Sequence, residues 1–229
     1  MDFFRKNFNS ILIIAYRDIR KFLSDKTRIV ATFIFPVVFV GILGSSSQSN
    51  LGEAAGFNFL TFTFTGVLAQ TLFQSAASGI ISLIEDRDND FSQEMFVSPT
   101  SRYAILFGKI IGESSVAIVQ AIEILILIPI LQIPFTFNQI LLSIPVMIVA
   151  CLFGASFGIL VMSNLSNQRA ANQVFPFLIL PQFFLAGIFT PIRDLPIVLE
   201  ILSRMAPLTY VVDLMRAVTY QGLPEYEKF

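Results

Sequence analysis

Histidine is absent from this chain of 229 residues, and cysteine occurs once, at Cys151 within an apolar run. The missing imidazole removes the commonest general base and metal ligand at neutral pH. A lone thiol provides neither an internal disulfide nor a thiolate metal site. Charge is also scarce. Only 14% of residues are Asp, Glu, Lys or Arg, whereas a soluble domain carries about a quarter. The net charge of −1 offers no basic surface for nucleic acid. No Gly-x-x-x-x-Gly-Lys-Ser/Thr phosphate loop occurs, so any nucleotide chemistry would have to come from another chain. The N-terminus does not read as a cleaved signal peptide, because its basic start leads into a segment too polar for an h-region. No internal repeat stands out.

What the chain has instead is apolar length. Hydrophobic residues make up 55% of it, and the mean hydropathy is +0.74. Residues 29–52, 54–84, 124–168 and 170–192 contain no Asp, Glu, Lys or Arg. A helix crosses a bilayer core of roughly 30 Å with ~20 apolar residues, so each stretch is long enough, and no soluble core could hide all of them. The sequence therefore predicts an all-α, polytopic membrane helix bundle, a single transmembrane domain over residues 1–229. Five spans are expected, at residues 29–44, 57–84, 103–131, 140–162 and 173–189.

Residues 9–28 alternate apolar and charged side chains at helical spacing. Ile11, Ile14, Ala15, Ile19 and Phe22 share one face, while Arg17, Asp18, Arg20, Lys21 and Asp25 flank the other. This pattern predicts a helix lying in the membrane interface, with a polar extension of the first span as the alternative. Pro36 should kink the first span, leaving a carbonyl for a neighbouring helix to satisfy. Residues 45–56 and 163–172 read as loops. In the fourth span, Gly154 and Gly158 lie four apart beside Ala155 and Ser156, which predicts a close helix–helix contact. Residues 196–218 form two short charged amphipathic segments broken at Pro207, interfacial or re-entrant rather than spanning. With the N-terminus inside, eleven of the fifteen Lys and Arg residues fall on the cytoplasmic side, as the positive-inside rule requires. Five spans would leave the C-terminus outside.

The dense charge cluster from Glu85 to Glu94, ending at Ser98-Pro99, lies at the cytoplasmic mouth between the second and third spans. By itself it reads as a solvated turn or as a helix able to dock on a partner. Asp86, Arg87, Asp88, Glu94, Val97, Pro99, Ser101 and Arg102, followed by Gly108-Lys109, resemble in register the coupling-helix signature of type-2 ABC transporter permeases. These are the membrane subunits of drug and polysaccharide exporters. A second block, Pro181 to Pro191 followed by Pro207, Tyr210, Asp213 and Arg216, resembles the same family's fifth span and extracellular re-entrant hairpin. The two blocks, joined by the right spans, extend the resemblance over most of the chain. Asp90 stands where the family usually has glycine, and Ala186 where serine is common. The family's sixth span, after the Tyr-x-x-Asp-x-x-Arg segment, is not found before Phe229.

The resemblance implies a mechanism and partners. Residues 85–100 would be a cytosolic coupling helix pushed by a separate cytosolic ATP-binding subunit. A second permease copy would complete the transporter within the lipid of the cell membrane. No cofactor belongs to the chain itself, since ATP would be held by the partner, and no catalytic or metal-binding set is expected. In the third span, Lys109 and Glu113 are four apart and can pair. Glu123 lies deeper, and an ionisable group at that depth reads either as a polar contact on a translocation route or as a structural hydrogen-bonded group. Phe175, Phe177, Phe183, Phe184 and Phe189 read first as packing or lipid-facing residues, with an aromatic cargo box as the alternative. The expected function is export of an amphipathic small molecule, lipid or glycan. The alternative is a truncated or non-transporting membrane scaffold. An intramembrane enzyme would need converging Asp, Ser–base or metal-ligand sets, and none is visible.

Overall fold

The computed structural model describes residues 2–55, 57–83, 101–165, 168–192 and 196–221, and among these every regular element is a helix. Helix α1 covers Asp2–Ser24 and α2 covers Lys26–Pro36, with Asp25 between them. The Asp25 carboxylate caps α2 by accepting the Arg28 N–H at 3.0 Å, so the interfacial segment ends there rather than at residue 28. Pro36 cannot supply the amide that an α-helical ladder needs. After it the helix continues as a π-helix over Val37–Gly44, and then as α3, Ser45–Ala55.

Helix α3 replaces the loop expected at residues 45–56. Its polar side chains bond back to their own helix: Ser49 Oγ and Asn50 Nδ2 each donate to the Ser46 carbonyl at 2.9 Å. Hydroxyl and amide groups satisfied in this way look like loop formers in a sequence. Gln48 Oε1 then accepts the Phe59 N–H at 2.6 Å, and Asn58 Oδ1 accepts that of Thr61 at 3.0 Å. Together these bonds set the corner into α4, Phe59–Gly79.

Helix α4 is buried on nearly every side, and its low amphipathicity fits that central position. Around it stand the π-helical segment, α5 (Arg102–Leu125), α7 (Phe137–Met162) and α10 (Pro207–Thr219). The short α6, Leu127–Ile130, extends α5. Helix α8 covers Gln168–Leu185 and α9 covers Ile197–Met205. Among the described residues four helical stretches are long and apolar enough to cross a membrane: Lys26–Asn50, Phe59–Leu83, Arg102–Ile130 and Phe137–Met162. They correspond to the first four predicted spans. Helix α8, on the fifth, begins inside the segment expected to be a polar loop and carries Arg169 in its first turn, so it falls outside that set.

Backbones approach closely at glycines. A Cβ on Gly154 would collide with the Phe73 carbonyl, and one on Gly158 would lie 2.5 Å from that of Ala77. The predicted glycine face of α7 is therefore the seam against α4. A second seam was not anticipated. Gly108 and Gly112 on α5 receive α1, where an added Cβ would lie 3.0 Å from Ile14 Cβ and 3.1 Å from Ala15 Cα respectively. In lipid, burial gives helices little reason to associate, so such grooves and polar contacts carry the association.

Gly158→Leu is expected to force α7 off α4 and destabilise the bundle by about 1–3 kcal/mol, the usual range for overpacking. Gly41→Leu, where nothing lies within 4 Å of the new Cβ, should leave stability unchanged. Thermal unfolding of the two detergent-purified variants checks this, and equal melting of both would refute the seam.

Candidate functional site

Three polar constellations interrupt the apolar bundle. The first lies at the C-terminal end of α4. Lys109 Nζ sits 2.9 Å from Asp18 Oδ2 and 2.9 Å from Glu113 Oε1. Residue exposures of 2% for Lys109 and 4% for each carboxylate make this a buried triad. Arg17 Nη2 adds a second cation 3.2 Å from Asp18 Oδ1. The Ser82 hydroxyl lies 3.3 Å from Glu113 Oε1, and the Glu113 carboxylate presses against Gly79, leaving no room for a side chain there. The expected pair between Lys109 and Glu113 is present. Asp18, read from the sequence as part of a solvated flank, is its buried third member. It faces inward because it continues the stripe Ile11, Ala15, Asp18 and Phe22, which α1 lays along α5.

Two cations and two carboxylates balance, which is what allows ions in such surroundings. Breaking a buried pair is far costlier than removing it entirely. Lys109→Met should therefore destabilise the protein by about 3–5 kcal/mol, by leaving two carboxylates without their shared cation. The triple variant Asp18→Asn, Lys109→Met, Glu113→Gln should recover most of that loss. Thermal unfolding of the two proteins decides it, and a triple variant no more stable than Lys109→Met would show that the ions are not coupled.

The second constellation lies at the other end of α4. Arg216, 2% exposed, places its guanidinium 3.7 Å from the Phe62 ring centroid and donates to the Gly187 carbonyl at 2.7 Å. Gly187 adopts φ +71°, a left-handed turn open to glycine at no steric cost, which ends the α8 segment. Pro207 opens α10, and the Tyr210 hydroxyl donates to the Arg204 carbonyl at 2.7 Å, closing the α9–α10 hairpin. Ser203 Oγ donates to the Leu185 carbonyl at 2.7 Å, and Gln182 Oε1 accepts the Leu208 N–H at 3.3 Å. Asp213 is exposed, three residues before Arg216 on α10, and acts on its guanidinium through charge. Phe62 and Gly79 are separated by roughly 25 Å of helix, so the clamp and the triad stand a bilayer thickness apart.

The third constellation is a cavity of about 270 Å³ between these ends, lined by Arg28 and Thr32 of α2, Gln70, Gln74 and Ser75 of α4, and Gln120 of α5, among others. Phe35 and Phe183 also line it and are shared with a second, apolar cavity of about 380 Å³ that includes Phe39, Leu43, Phe184 and Phe189. Of the five phenylalanines singled out in the sequence, three therefore line a cavity. Phe175 is a core residue and Phe177 is 79% exposed. The polar lining escaped the sequence reading, although glutamines at 70, 74 and 120 inside apolar runs were its visible trace.

Of the expected coupling residues, Asp86, Arg87, Asp88, Glu94, Val97 and Pro99 lie outside the described residues. Arg102 is exposed at the start of α5, behind the Ser101 cap, whose Oγ accepts the Ala104 N–H at 3.1 Å. Glu123 is half-buried on α5 and joins neither the Lys109 triad nor the two cavities. Among the described residues no three His, Cys, Asp or Glu side chains group as metal ligands.

Apolar helices of spanning length, with ionic and polar clusters placed at their two ends, define a multi-pass integral membrane protein. The profile of the ABC-2 type transporter family matches residues 9–220, and the chain belongs to that family. Among its relatives, ycf38 of Cyanophora paradoxa, named as a transport permease, is 26% identical over 208 residues, covering 86% of this chain and 70% of the relative. YbhR of Escherichia coli K12, whose name describes a multidrug ABC transporter permease, is 29% identical over 140 residues, or 60% of this chain and 38% of YbhR. The alignment thus spans well under half the length of YbhR. The chain is a membrane transporter subunit, and its family implies an ATP-binding partner subunit.

Proposed function

We propose that this chain is the permease of an ATP-driven exporter, working with a separate cytosolic ATP-binding subunit and a second permease copy to move an amphipathic small molecule, lipid or glycan out of the cytoplasm. The N-terminus and the Lys109 triad face the cytoplasm of a cell membrane, and the α9–α10 hairpin faces outward. The observation that carries this reading is where the triad sits. Residues 84–100 are strung between the end of α4 and the start of α5, and both ends are tied to α1 through Ser82, Glu113, Lys109 and Asp18.

A push on residues 85–100 would therefore reach three helices at once rather than bend one loop. Helix α4 is the natural lever, because it is central and meets α10 at its far end. Its displacement relative to α8 would open the route past the two cavities. Energy must come from the partner, since no phosphate loop is present in this sequence.

Co-expression with the ATPase encoded nearest its gene, followed by purification through a tag on the permease, tests the proposal. The wild type is expected to retain the ATPase. Glu94→Arg, a charge reversal at the docking segment, should retain about tenfold less while inserting normally. A wild type that inserts but holds no ATPase would point to a non-transporting scaffold.

A further inference from the structure

The two adjoining cavities form one amphipathic site. Along α2 and the π-helical segment that continues it, the side chains that line them fall at Arg28, Thr32, Phe35, Phe39 and Leu43, a stripe that changes from cationic to polar to apolar. The polar end is built to bind. Arg28 is half-buried, its guanidinium 5.3 Å from the Phe22 ring centroid, with no carboxylate paired to it among the described residues. Asp25, one turn earlier, has an oxygen engaged on the Arg28 backbone N–H at 3.0 Å. Among the described residues none of the cavity's lining side chains is acidic. Two buried lining atoms, Gln70 Oε1 and Ser75 Oγ, have no hydrogen-bond partner, although their residues are only 2% and 8% exposed. Such groups are costly to leave unsatisfied; the Ser75 hydroxyl can donate to an acidic headgroup, whereas Gln70 Oε1 only accepts and would take the proton of a headgroup hydroxyl or of water.

The apolar end offers Phe35, Phe39, Phe183, Phe184 and Phe189, with ring centroids 5.6 Å apart for Phe35 and Phe183 and 5.0 Å apart for Phe39 and Phe189. Two of its walls, Leu180 and Phe184, are 61% and 70% exposed on the bundle surface, so the chamber opens sideways.

We infer that this chain binds a single-chain anionic amphiphile, its acidic headgroup held by Arg28 and the amides of Gln70, Gln74 and Gln120, and its tail laid along Phe35, Phe39 and Leu43 through the lateral opening. With Arg28 near the cytoplasmic end of α2, head and tail have the orientation of an amphiphile in the inner leaflet. The identification of this ligand as cargo rests on the permease reading; the binding site does not.

The test uses the full chain in nanodiscs of zwitterionic lipid, probed with dodecyl phosphate carrying a diazirine at the tail end, with crosslinks mapped by peptide mass spectrometry. Labelling is expected within residues 35–43 or 180–189. Unlabelled dodecyl phosphate should suppress it about tenfold better than dodecyltrimethylammonium does, the difference one charge-assisted contact provides. Arg28→Ala should lower the labelling about tenfold, Arg28→Lys should restore most of it, and Arg204→Ala, a remote exposed cation, should leave it unchanged. If Arg28→Ala does not fold, Gln74→Leu and Gln120→Leu read the same headgroup preference. Labelling indifferent to headgroup charge, or unaltered in these variants, overturns the site and leaves the permease reading standing. Suppression by inorganic phosphate as strong as by dodecyl phosphate would show an anion site without a tail chamber and overturn the amphiphile. Loss of ATPase co-purification with normal labelling would remove the permease reading and leave the site.

Discussion

Charge placed inside an apolar medium must be neutralised where it stands, and the Lys109 ammonium meets that requirement with carboxylates from two helices. Its partners come from α1 and from α5 itself, and the Ser82 hydroxyl attaches the triad to the helix leaving α4. This arrangement adds an ionic anchor to the amphipathic α1, which also buries Ile11, Ala15 and Phe22. The Gly108 and Gly112 groove lets α1 come close enough for Asp18 to reach Lys109. Without the groove the triad would lack its bridging carboxylate, and without the triad the groove would hold α1 by dispersion alone.

The same economy governs α4. A helix with apolar residues all round would be unremarkable in lipid, but this one is enclosed by protein instead. Threonine, glutamine and serine along it are buried rather than exposed to acyl chains. Thr65 Oγ1 satisfies itself on the carbonyls of Thr61 and Phe62, whereas Gln70 Oε1 and Ser75 Oγ do not. Buried polar groups are normally paired, so the exceptions mark where α4 borders a cavity rather than another helix. Arg216 marks its other end, where a cation rests on an aromatic face and on carbonyls. The two ends of one helix thus carry different kinds of polar anchor, one ionic and one cation–π, about a membrane thickness apart.

Much of this plan could be read along the chain. Charge-free runs located the first, second and fourth spanning helices, Gly154 and Gly158 located a seam, and Pro207 located the break in the hairpin. The pairing of Lys109 with Glu113 followed from their spacing alone. Other features were hidden for identifiable reasons. Ser45 to Asn50 resembles a loop until its side chains are seen bonded to helix carbonyls. Asp18 looks like a surface charge because its partner is 91 residues away. Glu123, conspicuous in the sequence, joins neither the triad nor the cavities.

What the sequence determined by itself was local and additive: which stretches favour lipid, where proline and glycine interrupt them, and which family the charged segment and hairpin resemble. Hydropathy and periodicity are properties of one helix, summed over neighbouring residues, so they survive without knowledge of any other helix. Tertiary structure alone decided which faces meet. That choice brought Arg28, Gln70 and Gln120 from three helices to one cavity, and Asp18 to Lys109. The reason is that lipid and protein interior are nearly alike to an apolar side chain, so hydrophobicity cannot select partners. Close approach at glycines and the need to neutralise buried charge select them instead, and both depend on distances that exist only once the helices are packed.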